Sequence, residues 1–574
     1  MHSSSRYDII FAGGGTTACV IAGRLAAADP DLEILIIESG PSTKDEDIHT
    51  QPNQWIGLLN RTDVYMAHSS LTATNLNGRS PKVNNGSCVG GGGSVNAMMY
   101  NRAPASDYDD WERLGNPGWG AADLIPLARK LETYQIDGSE SIHGSSGPIK
   151  VSYGAPHSRS KIGADFLSAA AGFPRGREFA DEWNDFATCD VYGKFPKYID
   201  AETGRRSDSA HAYLYSQSDN PNLHILDQAH VNRVIFEDKS NRAVGVEYQA
   251  GGANSAMLTA YASRLVVVSA GTFGSPAILE RSGIGGINIM DKHGIPVVSD
   301  LPGVGHNYND HPGAFLAYLA DQGMRKANAS SGYNDVDAGI KVRPNGEDLR
   351  ELPIFSDHRW PKFFDKIPDK SVGPVFSLAR PMDSNLDPTN YQVAYFLSYP
   401  AGTGTVHITG RDSFLPIEVY SGLLDRDEDL VLLRWFYKWS RELARRMDCY
   451  RGENVPEHPR FSEGSEARCG AREGPVAHAA PEIKYTEADN EAIDEFHREK
   501  AVFCWHALGS CAMKSREDSG VVDPRLNVYG TKNLKVADMS IAPLNVGANT
   551  YHTALLVGEK AAIIIAEELG ISGV

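Results

Sequence analysis

The first forty residues alternate apolar runs with one glycine-rich turn. Residues 7–18, "YDIIFAGGGTTA", start as a β-type apolar run. The next stretch, "TTACVIAGRLAAADP", has a helical pattern, and "LEILIIESG" has the pattern of a second strand. Hydrophobic patterning therefore predicts a strand–turn–helix–strand unit at the start of the chain.

The turn of this unit has the spacing of a dinucleotide-binding loop, G-x-G-x-x-G/A. Gly13 permits a tight turn, Gly15 lets the backbone approach a pyrophosphate, and Ala18 lets the helix pack on the strand. The pyrophosphate would lie beside Thr16 and Thr17, because free N–H groups at a helix N-terminus attract anions. A chance glycine turn is the alternative interpretation.

Glu38 stands near the end of the second predicted strand. A carboxylate at this place accepts hydrogen bonds from a ribose diol and favours FAD or NAD over NADP. This unit alone does not separate FAD from NAD.

A second glycine-rich segment is "GSCVGGGGSVNAMMY", residues 86–100. Four consecutive glycines, 90–93, followed by Ser94 and Asn96 indicate a backbone lying against a flat ligand or a second phosphate. A flexible surface loop is the alternative, but the flanking apolar residues favour a packed loop.

Several later segments also carry clear patterns. "LVVV" (265–268) predicts a buried strand followed by a helix from Ser275-Pro276. Alternation in "NYQVAYFLSYP" and "GTVHITG" predicts strands, and "LVLLRWFYKWSRELARRMDCY" predicts an amphipathic helix whose aromatic residues are core packing.

The C-terminal region combines a strand with a long helix. "NLKVADMSIAP" predicts a strand ending at Asp538, and "TALLVGEKAAIIIAEELG" predicts a helix stopped by Gly570. Asn549 stands at the start of that helix, where Asn is a preferred N-cap. Its polar neighbour His552 lies in the first predicted turn.

Composition and charge narrow the classes of partner. The chain has 574 residues, which predicts at least two domains or a large composite, and a net charge of −18, which disfavours nucleic-acid binding. No apolar run has the length of a membrane span. The N-terminus lacks a signal-peptide pattern and the seven cysteines are scattered, so we expect a cytoplasmic protein with reduced thiols.

These motifs together resemble the glucose–methanol–choline (GMC) family of FAD oxidoreductases. "GGGTTACVIAGRLA", "CVGGGGSVNAMMYNR", "GTFGSPAILERSGIG" and "PGVGHNYNDHP" are similar to its blocks and stand in its order. The segments "DEFHREKAVFCWHALGSCAM" and "NVGANTYHTALLVGEKAA" most resemble the methanol and short-chain alcohol oxidases of that family.

The resemblance implies an α/β (α+β composite) fold with two discontinuous parts. A Rossmann-type FAD-binding domain would comprise residues 1–154, 225–310 and 506–574. A substrate domain on a largely antiparallel sheet would comprise residues 155–224 and 311–505.

The resemblance also implies roles for individual residues. His506 would be the catalytic base, suited to the task because imidazole titrates near neutrality, and Asn549 would orient the substrate oxygen. His552 is expected to be a surface or supporting histidine. The implied FAD-binding residues are Gly13, Gly15, Thr16, Thr17, Ala18, Glu38, Gly90, Gly92, Ser94, Asn96, Val231 and Asp538. The implied substrate pocket comprises Ala97, Met98 and Trp505, and no metal site is predicted.

The implied reaction is oxidation of a primary alcohol to an aldehyde, with O2 reduced to H2O2. Ala97 departs from the family pattern, because methanol oxidases usually have Phe there; we therefore expect an alcohol larger than methanol, such as a longer primary, aromatic or polyol alcohol. The C-terminus "ELGISGV" is not an S-K-L-like signal, which disfavours a peroxisomal location without excluding it. A dehydrogenase using a quinone or other acceptor, a non-redox lyase of the same fold, and a homo-oligomeric state stay open.

Overall fold

The structure is a computed structural model that describes residues 6–138, 141–154, 160–321, 335–383 and 385–574. Parts of both predicted domains, including residues 155–159 and 322–334, lie outside the described residues.

Seven strands of the described residues form the first sheet. The predicted opening unit is present, as strand Arg6–Ala12, helix Thr16–Ala28 and strand Ile34–Ile37. The strands follow in the spatial order Ala229–Glu237, Arg242–Ala250, Met257–Val268, Arg6–Ala12, Ile34–Ile37 and Leu223–Leu226, and Leu534–Val536 pairs with Met257–Val268. The central pairings are parallel, as a dinucleotide-binding fold requires.

Two helices from opposite ends of the sequence pack together beside this sheet. Helix Thr16–Ala28 contacts helix Tyr551–Leu569. Most residues of both helices are buried, so apolar side chains lie on nearly all of their sides. Gly558 permits the contact, since a Cβ there would lie 2.7 Å from Cβ of Val20. The long helix ends as predicted, with Gly570 in the left-handed conformation.

The second sheet is largely antiparallel, as predicted, and contains eight strands of the described residues. Among the pairings that build it, the one between Glu178–Phe179 and Val191–Lys194 is parallel. The order is Tyr450–Glu453, Pro312–Ala320, Tyr391–Phe396, Gly373–Leu378, Ala338–Val342, Val191–Lys194 and Glu178–Phe179, with Val502–Phe503 paired to Pro312–Ala320.

Both faces of the central strands of this sheet are buried. Phe376 and Phe396 belong to the core shared with the first sheet, whereas Val375 and Tyr395 belong to a second core under helix Asp427–Ala444. The aromatic residues of that helix are core packing, as expected. The alternation seen in "NYQVAYFLSYP" therefore separates two cores, and neither face is solvated.

One predicted strand does not belong to the second sheet, where it was expected. "GTVHITG" contributes Thr405–His407, which pairs with Glu418–Tyr420 in a separate two-stranded sheet. The expected domain boundary at residues 224/225 also falls inside strand Leu223–Leu226, which belongs to the first sheet. The rest of the domain division stays a prediction.

The remaining elements connect the two sheets. The helices are Asp47–Thr50, Trp55–Leu58, Ala105–Arg113, Ala121–Lys130, Lys161–Ala171, Ala210–Leu214 (π), Gly271–Arg281, Ile287–His293, Pro353–His358, Trp360–Phe363 and Glu487–Lys500. Short 3₁₀ turns are Pro52–Gln54, Thr74–Leu76, Gly91–Ser94, Tyr215–Gln217, Asp348–Glu351, Val455–Glu457 and Met539–Ile541. Paired short strands are Tyr65–Ser69 with Lys82–Gly86, Glu132–Tyr134 with Ile149–Val151, and Ile284–Gly285 with Ser299–Asp300.

Within the part of the chain that the structure describes, every helix is too short or too polar to cross a bilayer.

Candidate active site

A cavity of about 580 Å³ is lined from both sheets. Most residues that the sequence predicted for the site line it: Gly13, Gly15, Thr16, Thr17, Glu38, Gly92, Asn96, Ala97, Met98, Val231, Trp505, His506, Asp538 and Asn549. Three predicted cofactor contacts, Ala18, Gly90 and Ser94, are buried behind this lining. These three residues support the cavity wall.

The first glycine turn closes under the cavity. Gly13 has φ +109°, and a Cβ at this position would lie 2.4 Å from the carbonyl oxygen of Ser269. Helix Thr16–Ala28 then starts at Gly15 without a side-chain cap. Its first N–H groups are therefore left for a ligand, which fits a pyrophosphate.

The second glycine loop is packed, as predicted, against the first. The Thr16 hydroxyl donates to the Gly90 carbonyl at 3.0 Å and accepts from the Gly93 N–H at 3.2 Å. Behind the loop the Ser94 hydroxyl donates to Asp208 at 3.1 Å. Close packing of two backbones explains why this segment consists of small residues.

Arg206 holds the end of this loop and was missed by the sequence analysis. Its guanidinium donates to Oδ1 of Asn96 at 2.8 Å, and the Met98 N–H donates to the same oxygen at 2.8 Å. Burial lowers the pKa of Arg206 from its ordinary value. Nothing in the local sequence marked this distant cation as part of the site.

Glu38, the predicted ribose acceptor, lines the cavity. Its carboxylate accepts from the N–H groups of Gly14 at 2.8 Å and Gly40 at 3.0 Å. Burial raises the pKa of Glu38, and the two N–H groups act against that rise. The oxygens keep further lone pairs for a ribose.

Asp538 organises a second helix N-terminus at the cavity. It accepts from the Gly271 N–H at 2.8 Å and from the Ser275 hydroxyl at 2.5 Å, and burial raises the pKa of its carboxyl.

The helix after the buried strand spans Gly271–Arg281, so its expected start at Ser275-Pro276 is wrong. Pro276 is tolerated inside because the Thr272 carbonyl, which lost its helical donor, accepts from the Ser510 hydroxyl at 2.6 Å.

His506 and Asn549 meet at the opposite end of the cavity. Nδ2 of Asn549 lies 3.0 Å from Nε2 of His506, and Oδ1 of Asn549 accepts from Asn101 at 3.4 Å. Burial, and next the nearby His311 ring, lower the pKa of His506 well below its ordinary value. The pair thus offers one neutral imidazole and one amide to the cavity.

The alternative interpretation of Asn549, as the N-cap of the following helix, is wrong. The helix spans Tyr551–Leu569, with Thr550 at its N-cap position and no side-chain cap bond. The Asn549 side chain instead contacts His506, which comes from a segment distant in sequence.

His552 is not a surface residue. Its side chain is 1% exposed and packs edge-on against Tyr100, at 5.9 Å between ring centroids. Neither ring nitrogen has a hydrogen-bond partner among the described residues, and burial lowers its pKa well below the ordinary value. It lies outside the cavity lining.

The backbone is left-handed at two pocket residues. Met98 has φ +57° and Trp505 has φ +60°. Such conformations are uncommon outside glycine and occur often at functional sites. Both residues line the same cavity.

Other parts of the site were not predicted from sequence. An aromatic wall is formed by Phe315, Phe376 and Phe396, one from each of three strands of the second sheet. His311 contacts His506, with 2.9 Å between the two Nδ1 atoms. The motif "NDHP" containing His311 was noticed without a role, whereas the phenylalanines had no recognisable signal.

The fold and this site are those of a dinucleotide-binding protein whose cavity extends from the first sheet to the second. No group of His, Cys, Asp and Glu side chains in the described residues is arranged to hold a metal ion.

Residues 7–313 and 400–558 match the N- and C-terminal sequence profiles of the GMC oxidoreductases, and the chain belongs to this family. The predicted family, FAD cofactor and enzyme class are thereby confirmed.

The chain is also similar to individual proteins along nearly its whole length. It is 36% identical to an alcohol oxidase of Candida boidinii, covering 99% of this chain and 96% of that protein. It is 28% identical to an oxygen-dependent choline dehydrogenase of Cronobacter sakazakii, covering 97% and 94%. An FAD-dependent oxidoreductase of Chaetomium thermophilum has a similar structure, with 25% identity, a TM-score of 0.80 and coverage of 99% and 100%.

Proposed function

We propose that this protein oxidises a primary alcohol to an aldehyde, with FAD as cofactor and O2 reduced to H2O2. The observation that carries the proposal is the pair of His506 and Asn549, 3.0 Å apart and both lining the cavity. The similarity to alcohol oxidases, at 34–36% identity over nearly the full chain, supports the same reaction.

FAD, when bound, supplies a hydride acceptor and passes electrons to O2. The glycine turn with Gly13 and Gly15, the carboxylate of Glu38 and the helix start at Gly271 are the groups that would hold it. The fit rests on an uncapped helix N-terminus, a buried diol acceptor and a closely packed glycine loop at one cavity.

His506 is the base in this proposal. Loss of hydride from the carbinol carbon requires that the hydroxyl proton leaves, and neutral imidazole is the acceptor within reach. Asn549 holds the substrate oxygen without changing charge, because its amide can donate to the oxygen while Nε2 of His506 accepts the proton.

The substrate in this proposal is an apolar alcohol larger than methanol. Phe315, Phe376 and Phe396 line the same cavity as Ala97, whose small side chain leaves space. Each methylene or equivalent group buried there contributes about 0.8 kcal/mol to binding. A polyol would place hydroxyls against this aromatic wall without hydrogen-bond partners, which is unfavourable.

The test is anaerobic mixing of the purified flavoprotein with methanol, 1-hexanol, benzyl alcohol and glycerol, followed by admission of air. We expect benzyl alcohol or hexanol to bleach the flavin band fastest, and air to restore it with formation of peroxide. Bleaching without recovery would indicate a dehydrogenase with another acceptor. Absence of bleaching with every alcohol would indicate the lyase alternative, and faster reaction of methanol would contradict the substrate class.

A further inference from the structure

We propose that His311 is a positioning residue that sets the tautomer of His506, with the proton on Nδ1 and the lone pair of Nε2 directed to Asn549 and the cavity. The tautomer follows from the hydrogen bonds of two neutral imidazole rings, whereas its kinetic importance rests on the proposed role of His506 as the base. His311 itself does not line the cavity.

His311 lies directly behind His506. It is fully buried, and its Nδ1 is 2.9 Å from Nδ1 of His506. Its other nitrogen, Nε2, is 3.0 Å from the carbonyl oxygen of Val546 and 2.8 Å from Oδ1 of Asn545. The Phe396 ring stacks on His311 at 5.1 Å and 5°, which holds the plane of the imidazole.

The carbonyl of Val546 determines where His311 carries its proton. A carbonyl oxygen can only accept, so Nε2 of His311 must be the donor. Because burial lowers the pKa of His311 to about 4, the ring is neutral near pH 7 and has one proton. Its Nδ1 is therefore an acceptor.

The orientation of Asn545 agrees with this assignment. Asn309 donates from Nδ2 to the Gly402 carbonyl at 2.9 Å, which turns its Oδ1 toward Nδ2 of Asn545. Oδ1 of Asn545 then accepts from the Val546 N–H at 2.8 Å and from His311. The carbonyls of Val546 and Gly402 thus identify Nε2 of His311 and Nδ2 of Asn309 as donors, and with neutral rings the remaining side-chain bonds follow.

The acceptor role of His311 determines which nitrogen of His506 carries the proton. Since Nδ1 of His311 accepts, Nδ1 of His506 must donate, and neutral His506 has no proton on Nε2. Nε2 is the nitrogen that contacts Asn549. A base needs its lone pair there, and the wrong tautomer would present an N–H to the hydroxyl.

Asp310 fixes the two histidines through the backbone. Its Oδ1 accepts from the His311 N–H at 2.6 Å and from the His506 N–H at 2.9 Å. The distance between the two rings is therefore anchored on the main chain as well as through the side chains.

The tautomer can be measured in the holoenzyme without any alcohol. Protein labelled with 15N-histidine gives separate imidazole signals for protonated and unprotonated nitrogens, and the His506 signals are those lost in His506→Gln. We expect a protonated Nδ1 and an unprotonated Nε2. A proton on Nε2 would overturn the proposal, whatever the enzyme's substrate.

The kinetic test compares two substitutions of similar size. His311→Leu removes the acceptor, and we expect the rate constant of flavin reduction to fall about 100-fold, at the low end of what acid–base catalysis contributes. His311→Asn can place an amide oxygen near Nδ1, and we expect it to recover the rate to within about tenfold of wild type. FAD content and alcohol affinity should change little in either variant.

His458→Leu is the control for removing a buried histidine. His458 donates to the Ala317 carbonyl at 2.9 Å and does not line the cavity, so flavin reduction should stay near the wild-type rate. Equal rates in His311→Leu and His311→Asn would contradict the proposal. If no alcohol reduces the wild-type flavin, the proposed function fails while the 15N measurement still decides the tautomer.

Discussion

The two ends of the cavity differ in what lines them, backbone at one end and side chains at the other. The end lined by Gly13, Gly15 and Gly92 is mostly backbone, held by hydrogen bonds between the two glycine loops. The end near His506 is mostly side chain, with an aromatic wall from three strands of the second sheet. The first end is sterically constrained at Gly13, where an added Cβ would collide with backbone atoms, whereas the second end is bounded by side chains, whose size a substitution can change.

The strongest test of the backbone end is Gly13→Val. Gly13 has φ +109°, and a Cβ would meet the Ser269 carbonyl at 2.4 Å, so we expect a loss of roughly 3 kcal/mol of stability or more, together with loss of FAD. Bound flavin and thermal unfolding measure both effects. Gly57→Ala is the control, because no atom lies within 4 Å of its Cβ position. A Gly13→Val protein with full flavin content would show that the turn is less constrained than its geometry indicates.

The next largest effect should come from His506→Gln at the side-chain end. Removing the base should lower the rate of flavin reduction about 10³-fold while FAD content and fold are retained. In the wild type, kcat/KM should fall as pH falls through the pKa of His506, which burial places well below its usual value. Stopped-flow reduction and a pH series measure these effects. A variant that retains its rate would remove His506 from the proposed chemistry.

A smaller effect is expected from refilling the substrate pocket. Ala97→Phe should lower kcat/KM for benzyl alcohol or hexanol relative to methanol by about 10- to 100-fold, because the ring takes the space of the longer substrate. Ala97→Val should give an intermediate ratio. If selectivity does not change in either variant, Ala97 does not bound the substrate.

The smallest effect should come from His552→Leu. His552 is buried with neither ring nitrogen partnered among the described residues, so an apolar side chain of similar size should change the free energy of unfolding by less than about 1 kcal/mol. Flavin reduction should be unchanged, in contrast to His506→Gln. Denaturant titration checks the first point; a loss above about 2 kcal/mol would reveal a hydrogen bond that the structure lacks.

The cofactor end could be predicted from sequence because its determinants are local. Gly13, Gly15 and Glu38 act through turn, helix start and strand end within one unit, and their spacing has the same meaning in any fold of this type. The substrate end could be predicted only where the resemblance named single residues, His506 and Asn549. Phe315, Phe376 and Phe396 could not be foreseen, since each occupies an ordinary apolar strand position.

Local sequence therefore determined most of the elements, the glycine turns and a dinucleotide as the class of cofactor, while the resemblance selected FAD. Only the tertiary structure decided which face of each strand meets the cavity, why Pro276 is tolerated in a helix, and that Asn549 contacts His506 instead of capping its own helix. It also decided that His506 lines the cavity whereas His552 is buried in the core. The physical reason is that these features depend on partners distant in sequence, whose hydrogen bonds and packing outweigh local preferences of a kcal/mol or so.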